Sequence, residues 1–360
     1  IHSTTTTTTL YIYSISRRMN KKIIIKAFQG EKTKETPFWF LRQAGRYLPE
    51  YQKIKKQEKD MLGLFLNPKK ATTITLQPVK RFQTSAAIIF SDILMVPYGL
   101  GQSLCFDNKK GPRLGNILNK PILKFDKKKF DSLLSPVYKT ISTTKKKLNK
   151  QTALIGFSGS PWTLLSFMLN GGPCRGISAI KKHIGKPYFE KYISLLVRVV
   201  VHYVNKQIDH GAEAIQLFDT YAGMLKDKKQ IEKYIFKTTK KIVSEVKKKN
   251  KKIPIIGFPK GLGCLYKNFV KTTGVDVINI DQSVNLDWAL KELRGRAVLQ
   301  GNLNPETLRL GGRKLDEEVL SILRCFGRGP FVFNLSHGIR PNTPVKNVSR
   351  VCFLLRGGVR

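Results

Sequence analysis

Acidic residues are scarce in this chain: 24 Asp and Glu stand against 65 Lys and Arg, a formal net charge of +41 over 360 residues. Such an excess points either to a polyanionic partner (nucleic acid, an anionic membrane or a multiply charged small molecule) or to lysines decorating solvated faces. Their placement favours the second reading. Lys145, Lys146, Lys147 and Lys150 stand just before ALIGF, and Lys247, Lys248, Lys249, Lys251 and Lys252 just before IPIIGF. Each cluster closes a helix-like segment, where cations complement the helix dipole. The basic runs lack interleaved aromatics and any known nucleic-acid module, so nucleic acid is not expected as a partner.

Cysteine is sparse as well. Cys105, Cys174, Cys264, Cys325 and Cys352 are scattered, odd in number and form no CxxC. They read as reduced thiols of a cytosolic-type compartment, and no metal site is expected. Uninterrupted apolar runs of the ~20 residues that a membrane-spanning helix needs are missing, so no membrane partner is expected. No repeat of fixed period appears, and no glycine-rich phosphate loop follows the first strand candidate, which argues against a doubly wound nucleotide-binding sheet.

The first 18 residues begin without Met, lack acids and are rich in Thr and Ser. Residues 1–18 read as an extension outside the fold, with Met19 as the start. If they are instead a targeting segment, a plastid location replaces the cytoplasmic one otherwise expected. Residues 19–350 are expected to form one domain. Residues 351–360 fit no obvious helix and are set apart as a tail.

What the chain does have is a 41% hydrophobic fraction, enough for a large core. Eight short apolar, β-branched or aromatic runs recur: PFWFL (37–41), AAIIF (86–90), ALIGF (153–157), EAIQLF (213–218), IPIIGF (253–258), VDVINI (275–280), AVLQG (297–301) and FVFNL (331–335). Their near-continuous apolar character suits strands buried on both faces, hence a parallel sheet. Helical patterns separate many of them. Tyr192, Ile193, Leu196, Val199, Val200 and Tyr203 mark one face, and Ile231, Tyr234, Ile235, Ile242, Val243 and Val246 another. Asn285 is a candidate cap for a helix ending near 293. The expected fold is α/β, a single-domain (β/α)8 TIM barrel.

In such a barrel the chemistry sits where strands end. The first candidate runs into Arg42 and Arg46, which flank Gln43, Ala44 and Gly45. A guanidinium presents a planar fork that matches a carboxylate or phosphate, so the pair suggests an anionic ligand; the alternative is salt-bridged packing. Asp92 follows the second candidate and reads equally as a helix cap or a functional acid. Asp219 and Asp281 read as caps or rim partners. His337 ends the last strand, where a structural and a functional role weigh evenly. His183, His202 and His210 fall in helical segments and read as structural.

Taken in order, PFWFLRQAGRYLPEYQ, IIFSDILMVPYGLG, GFSGSPWTLLSFMLNGG, IQLFDTYAG, LQGNLNP and FNLSHGI closely resemble stretches of the uroporphyrinogen decarboxylase family, over about residues 36 to 345. The resemblance implies a (β/α)8 barrel, a homodimer, and no metal or organic cofactor. It implies removal of CO₂ from the four acetate side chains of uroporphyrinogen III, giving coproporphyrinogen III for haem and chlorophyll. By the same likeness Asp92 stabilises the transition state. Arg42, Gln43, Ala44, Gly45, Arg46, Lys55, Phe167, Thr220 and His337 bind substrate alongside it. Three positions depart from the family pattern. Phe167 stands where Tyr is usual, Thr220 where Ser is, and Lys55 keeps the charge of an Arg but not its fork. A corrinoid- or methionine-linked methyltransferase of the same barrel superfamily is the rival. It would need zinc held by His and Cys, and Cys264 and Cys325 have no His at ligand spacing.

Overall fold

Seven short strands pair side by side, all parallel and in chain order, into one curled sheet. The computed structural model describes residues 21–58, 60–107, 111–118 and 123–358. The sheet consists of β1 (Ala86–Ile88), β4 (Ala153–Gly159), β5 (Ala214–Asp219), β6 (Ile255–Pro259), β7 (Val277–Asn279), β8 (Val298–Leu303) and β9 (Phe331–Leu335). A two-stranded antiparallel hairpin, β2 (Leu104–Asp107) and β3 (Gly111–Leu114), lies apart from it. Nearly every residue of the seven strands is buried, as both-faces-covered parallel strands require.

Seven of the eight strand candidates are strands; the first, 37–41, is not. Phe38 makes a single parallel bridge to Phe333. The Trp39 N–H donates to the Phe333 carbonyl at 3.3 Å, and the Phe333 N–H to the Pro37 carbonyl at 2.9 Å. Towards the other edge, the Ser85 N–H donates to the Phe38 carbonyl at 2.8 Å. The segment therefore spans from β9 to the start of β1 and closes the barrel as an irregular eighth stave. The ladder fails for a chemical reason. Pro37 has no N–H to give. The N–H of Phe38 goes to the Ser85 hydroxyl at 3.1 Å, and that of Leu41 to the Asn334 side chain at 2.9 Å.

The helices follow their sequence signals. Helix Lys127–Lys147 is capped by Asp126, whose carboxylate accepts the Lys129 N–H, and ends on Lys145, Lys146 and Lys147. Helix Pro187–Asp209 starts with proline in its first turn and buries the anticipated Tyr192, Ile193, Leu196, Val199, Val200 and Tyr203. Asn285 caps helix Leu286–Leu293 through the Trp288 N–H. The second periodic face is interrupted. Helix Lys228–Ile231 and helix Lys237–Lys249 are joined by one π-helical turn, Glu232–Phe236. The wider turn lets Tyr234, Ile235 and Phe236 all bury, which a regular helix presenting one face cannot do.

The segment set apart as a tail, 351–360, is helical as far as Leu355. It belongs to helix Val345–Leu355, with Val351, Cys352, Leu354 and Leu355 buried. Residues 1–18, read as an extension, lie outside the described residues. Among the described residues, no helix is long and apolar enough to cross a membrane.

The closure rests on Asn334. Its side-chain oxygen accepts from Leu41 at 2.9 Å and from the Leu335 N–H at 2.7 Å, all within the core. Asn334→Ala should leave both N–H groups unpaired and lower stability by about 2–4 kcal/mol, read by equilibrium urea unfolding.

Candidate active site

At the C-terminal end of the barrel the segments after the strands enclose a cavity of about 620 Å³. Arg42, Ala44, Gly45, Arg46, Lys55, Asp92, Thr220 and His337 all stand on its wall. They come from five separate stretches of sequence, which only the barrel brings together. Gln43 and Phe167 are not on the wall. Gln43 is buried beneath its loop: its side-chain oxygen accepts the Phe40 N–H at 3.1 Å and its amide donates to the Ala86 carbonyl at 3.0 Å. It shapes the Arg42–Arg46 turn and ties it to β1. Phe167 lies on helix Pro161–Asn170 and stacks on Tyr221, with ring centroids 5.1 Å apart.

The cations on the wall differ from those on the surface. Arg81 forks onto Glu50, Arg350 onto Asp316, and Arg309 pairs with Glu306. By contrast, Arg42, Arg46 and Lys55 make no salt bridge among the described residues, so the salt-bridged packing alternative is not what the fold builds. Arg42 is also one of two non-glycine residues with positive φ among the described residues, at 59°. A side chain costs energy in that left-handed conformation unless its neighbours impose it. They do so here. The Leu41 N–H is held by Asn334 and the Leu41 carbonyl accepts the Ile339 N–H at 2.9 Å, while the Gln43 N–H donates to the Phe40 carbonyl.

Asp92 faces these cations. It is only partly open to the cavity, and burial pushes its carboxyl above the usual range; the Leu94 N–H and the Arg42 charge oppose that push. One carboxylate oxygen accepts the Leu94 N–H at 2.9 Å. Asp92 thus closes its own turn and leaves helix Met95–Gly99 without a side-chain cap, so it is not the helix cap that was one of its two readings.

His337 is neutral. Burial, helped by the charges of Lys260, Arg42 and Arg340, brings its pKa down to about 4. Its Nδ1 lies 2.8 Å from the Gly338 N–H and must accept that hydrogen. Nε2 then carries the ring proton and can donate it to an oxygen anion.

Two further acids hold the rim. Asp281 accepts the Gly261 and Ser283 N–H groups. Asp219 is buried, which pushes its pKa up to about 7, and takes the Thr163 hydroxyl at 2.5 Å. His183, His202 and His210 each bond elsewhere, to Tyr188, Asp131 and the Lys206 carbonyl. The described residues contain no group of three His, Cys, Asp or Glu able to hold a metal ion.

The chain's motifs do not single out the aromatic lining. Phe157, Phe218 and Phe258, from β4, β5 and β6, form a continuous floor, with centroids 5.6 and 6.3 Å apart. Phe65, Phe90 and Phe106 make a second group, with Phe65 at 5.0 Å from Phe90 and 5.5 Å from Phe106. The floor was readable in principle. Each of its phenylalanines lies late in a strand, near the mouth. The strand carrying Phe106 left no comparable signal.

The match to known proteins decides the family. The model of uroporphyrinogen decarboxylase, URO-D, fits residues 19–356. The chain belongs to the uroporphyrinogen decarboxylase family. It is 39% identical to the uroporphyrinogen decarboxylase of Rhodospirillum rubrum, covering 93% of this chain and 97% of that one. To the uroporphyrinogen decarboxylase of Brucella ovis it is 40% identical, over 94% of this chain and 99% of the other. Among solved structures, a methyltransferase from Methanosarcina mazei superposes with a TM-score of 0.75 at 17% identity, covering 94% of this chain and 99% of that one. A B12-independent methionine synthase from a Shewanella species gives 0.55 at 8% identity, over 81% and 88%. At such identities the two structures share the barrel and nothing about chemistry. In this uroporphyrinogen decarboxylase family member the RQAGR loop, Arg42–Arg46, stands at the cavity of a barrel of the common kind.

Replacing Lys260 by Met should raise the His337 pKa from about 4 towards the ordinary 6.5, read by NMR titration of the ring protons. An unchanged pKa would show that the Lys260 charge does not help to hold the ring neutral.

Proposed function

We propose that this chain decarboxylates uroporphyrinogen III, taking all four acetate side chains to methyl groups and releasing coproporphyrinogen III. The observation that carries the reading is one cavity lined by Arg42, Arg46 and Lys55, which pair with no acid among the described residues, by a half-buried Asp92 and by an aromatic floor. The substrate is a flexible macrocycle with eight carboxylates outside and four pyrrole N–H groups inside. Guanidinium forks suit the carboxylates, the phenylalanines suit the ring faces, and one acid suits the converging N–H groups.

The chemistry needs a sink for the electron pair left when CO₂ departs. A proton added to a pyrrole carbon makes that ring cationic. The bond to the carboxylate then breaks, CO₂ leaves, and its electron pair flows into the ring. A proton taken up at the exocyclic carbon forms the methyl group, and the ring gives up the proton it first gained. The net change is one proton in and one CO₂ out, so the ring itself does the work of a cofactor. Asp92 stabilises the cationic ring in this reading, as a preorganised anion on the cavity wall. Arg42 and Arg46 stay charged throughout and therefore bind and orient rather than donate protons. Lys55 adds charge at the rim. Thr220 and the Nε2–H of His337 hold peripheral carboxylates. The loop of Gln43, Ala44 and Gly45 keeps the two arginines in place, and the assignment of Phe167 to substrate rests on the family likeness. A homodimer in the cytoplasm completes the proposal; sedimentation should show a species of twice the chain mass.

Anaerobic incubation with uroporphyrinogen III should yield products with seven, six, five and four carboxylates. Well-folded protein that turns over none would overturn the reading. Asp92→Asn should fold and lose about 10²–10³-fold in kcat, as removal of a group aimed at developing charge does. Because Asp92 acts ionised and its pKa is raised, activity should fall on the acid side as pH drops through that raised value. That limb should lie above the ordinary carboxylate range of about 4.

A further inference from the structure

Gly338 stands against the side chain of Arg42. A Cβ built at position 338 would lie 2.3 Å from Cδ, 2.6 Å from Cγ and 3.0 Å from Nε of Arg42. No carbon can occupy that space while Arg42 keeps its course. The backbone at 338 does not itself call for glycine, since its φ is outside the left-handed range where side chains are strained. Both residues line the cavity. Arg42, for its part, is held in a left-handed conformation that fixes where its side chain begins. The Arg42 side chain leaves the backbone at one imposed angle and passes over a residue that has no side chain.

We propose that Gly338 is a positioning residue for substrate binding. Its missing side chain forms the channel that aims the Arg42 guanidinium into the cavity. The turn Ser336–His337–Gly338 then sets two binding groups together. The Gly338 N–H fixes the tautomer of His337 at 2.8 Å, and the bare Cα lets Arg42 by. Alanine at 338 keeps the N–H, so it disturbs Arg42 and leaves the His337 contact in place. The path of Arg42 over Gly338 belongs to the fold itself, and its consequence for binding rests on the proposed decarboxylase reading.

The test separates the two. A crystal structure of Gly338→Ala should show the Arg42 side chain turned out of its channel with the barrel unchanged; an unmoved Arg42 would overturn the proposal whatever the enzyme's substrate. Kinetics with uroporphyrinogen III supply the second readout, valid once the unmodified chain turns over. Gly338→Ala should raise KM by about tenfold or more while kcat changes less, the split expected when a substrate-orienting contact is lost. Placed in an Arg42→Ala background, the same substitution should change KM by less than about twofold, because the partner through which it acts is gone. Equal effects in the two backgrounds would show that Gly338 acts independently of Arg42. A Gly338→Ala protein that fails to fold while the Arg42→Ala/Gly338→Ala double variant folds would support the clash as well; failure of both to fold would overturn it, since the clash would not be the cause.

Discussion

The structure depends on how residues 37–41 close the barrel. Seven strands make a parallel sheet with two open edges, and this short segment bonds to both. It does so with side chains standing in for ladder partners, Ser85 at one edge and Asn334 at the other. An ordinary strand would have alternated its residues and run on past the rim. The irregular one ends in a pinned left-handed residue, and that residue is Arg42. Closing the fold and placing the binding arginine are therefore one event. Damage to the closure should be felt in the site before it is felt in the rest of the barrel.

The second constraint is electrostatic. A chain this basic has few acids to spend, and it places most of them at helix ends and in ion pairs, some of them exposed, such as Glu317 with Arg313 or Asp209 with Lys249. Exposed pairs of this kind contribute little to stability. At the cavity the pattern reverses. Among the described residues its cations Arg42, Arg46 and Lys55 have no salt bridge, and Asp92 is half enclosed, with burial disfavouring its charge. Neither arrangement stabilises the empty protein. Both become favourable once a polycarboxylate with inward N–H groups fills the space.

Much of this could be read from the chain. The strand ends marked by polar residues, the lysine-closed helices and the Asn285 cap all stand where their local chemistry put them, because propensity and packing agreed. The departures come where tertiary demands won. PFWFL has the composition of a strand, yet proline at its head and side-chain acceptors at both edges break its ladder. The helical face from Ile231 to Val246 reads as one helix, and a π turn lets three successive residues bury. The arginines were legible because a fork beside glycine is unusual; Gly338 was not, because only the path of a side chain distant in sequence reveals what its bare Cα permits. Phe167 and Gln43 resemble site residues by motif, and the fold sets both behind the wall.

The most direct test of the central claim is a crystal structure with coproporphyrinogen III bound. The account predicts the macrocycle against the Phe157, Phe218 and Phe258 floor, its N–H groups within hydrogen-bond distance of Asp92, and carboxylates on Arg42 and Arg46. A macrocycle seated elsewhere, or turned with its N–H groups away from Asp92, would contradict it.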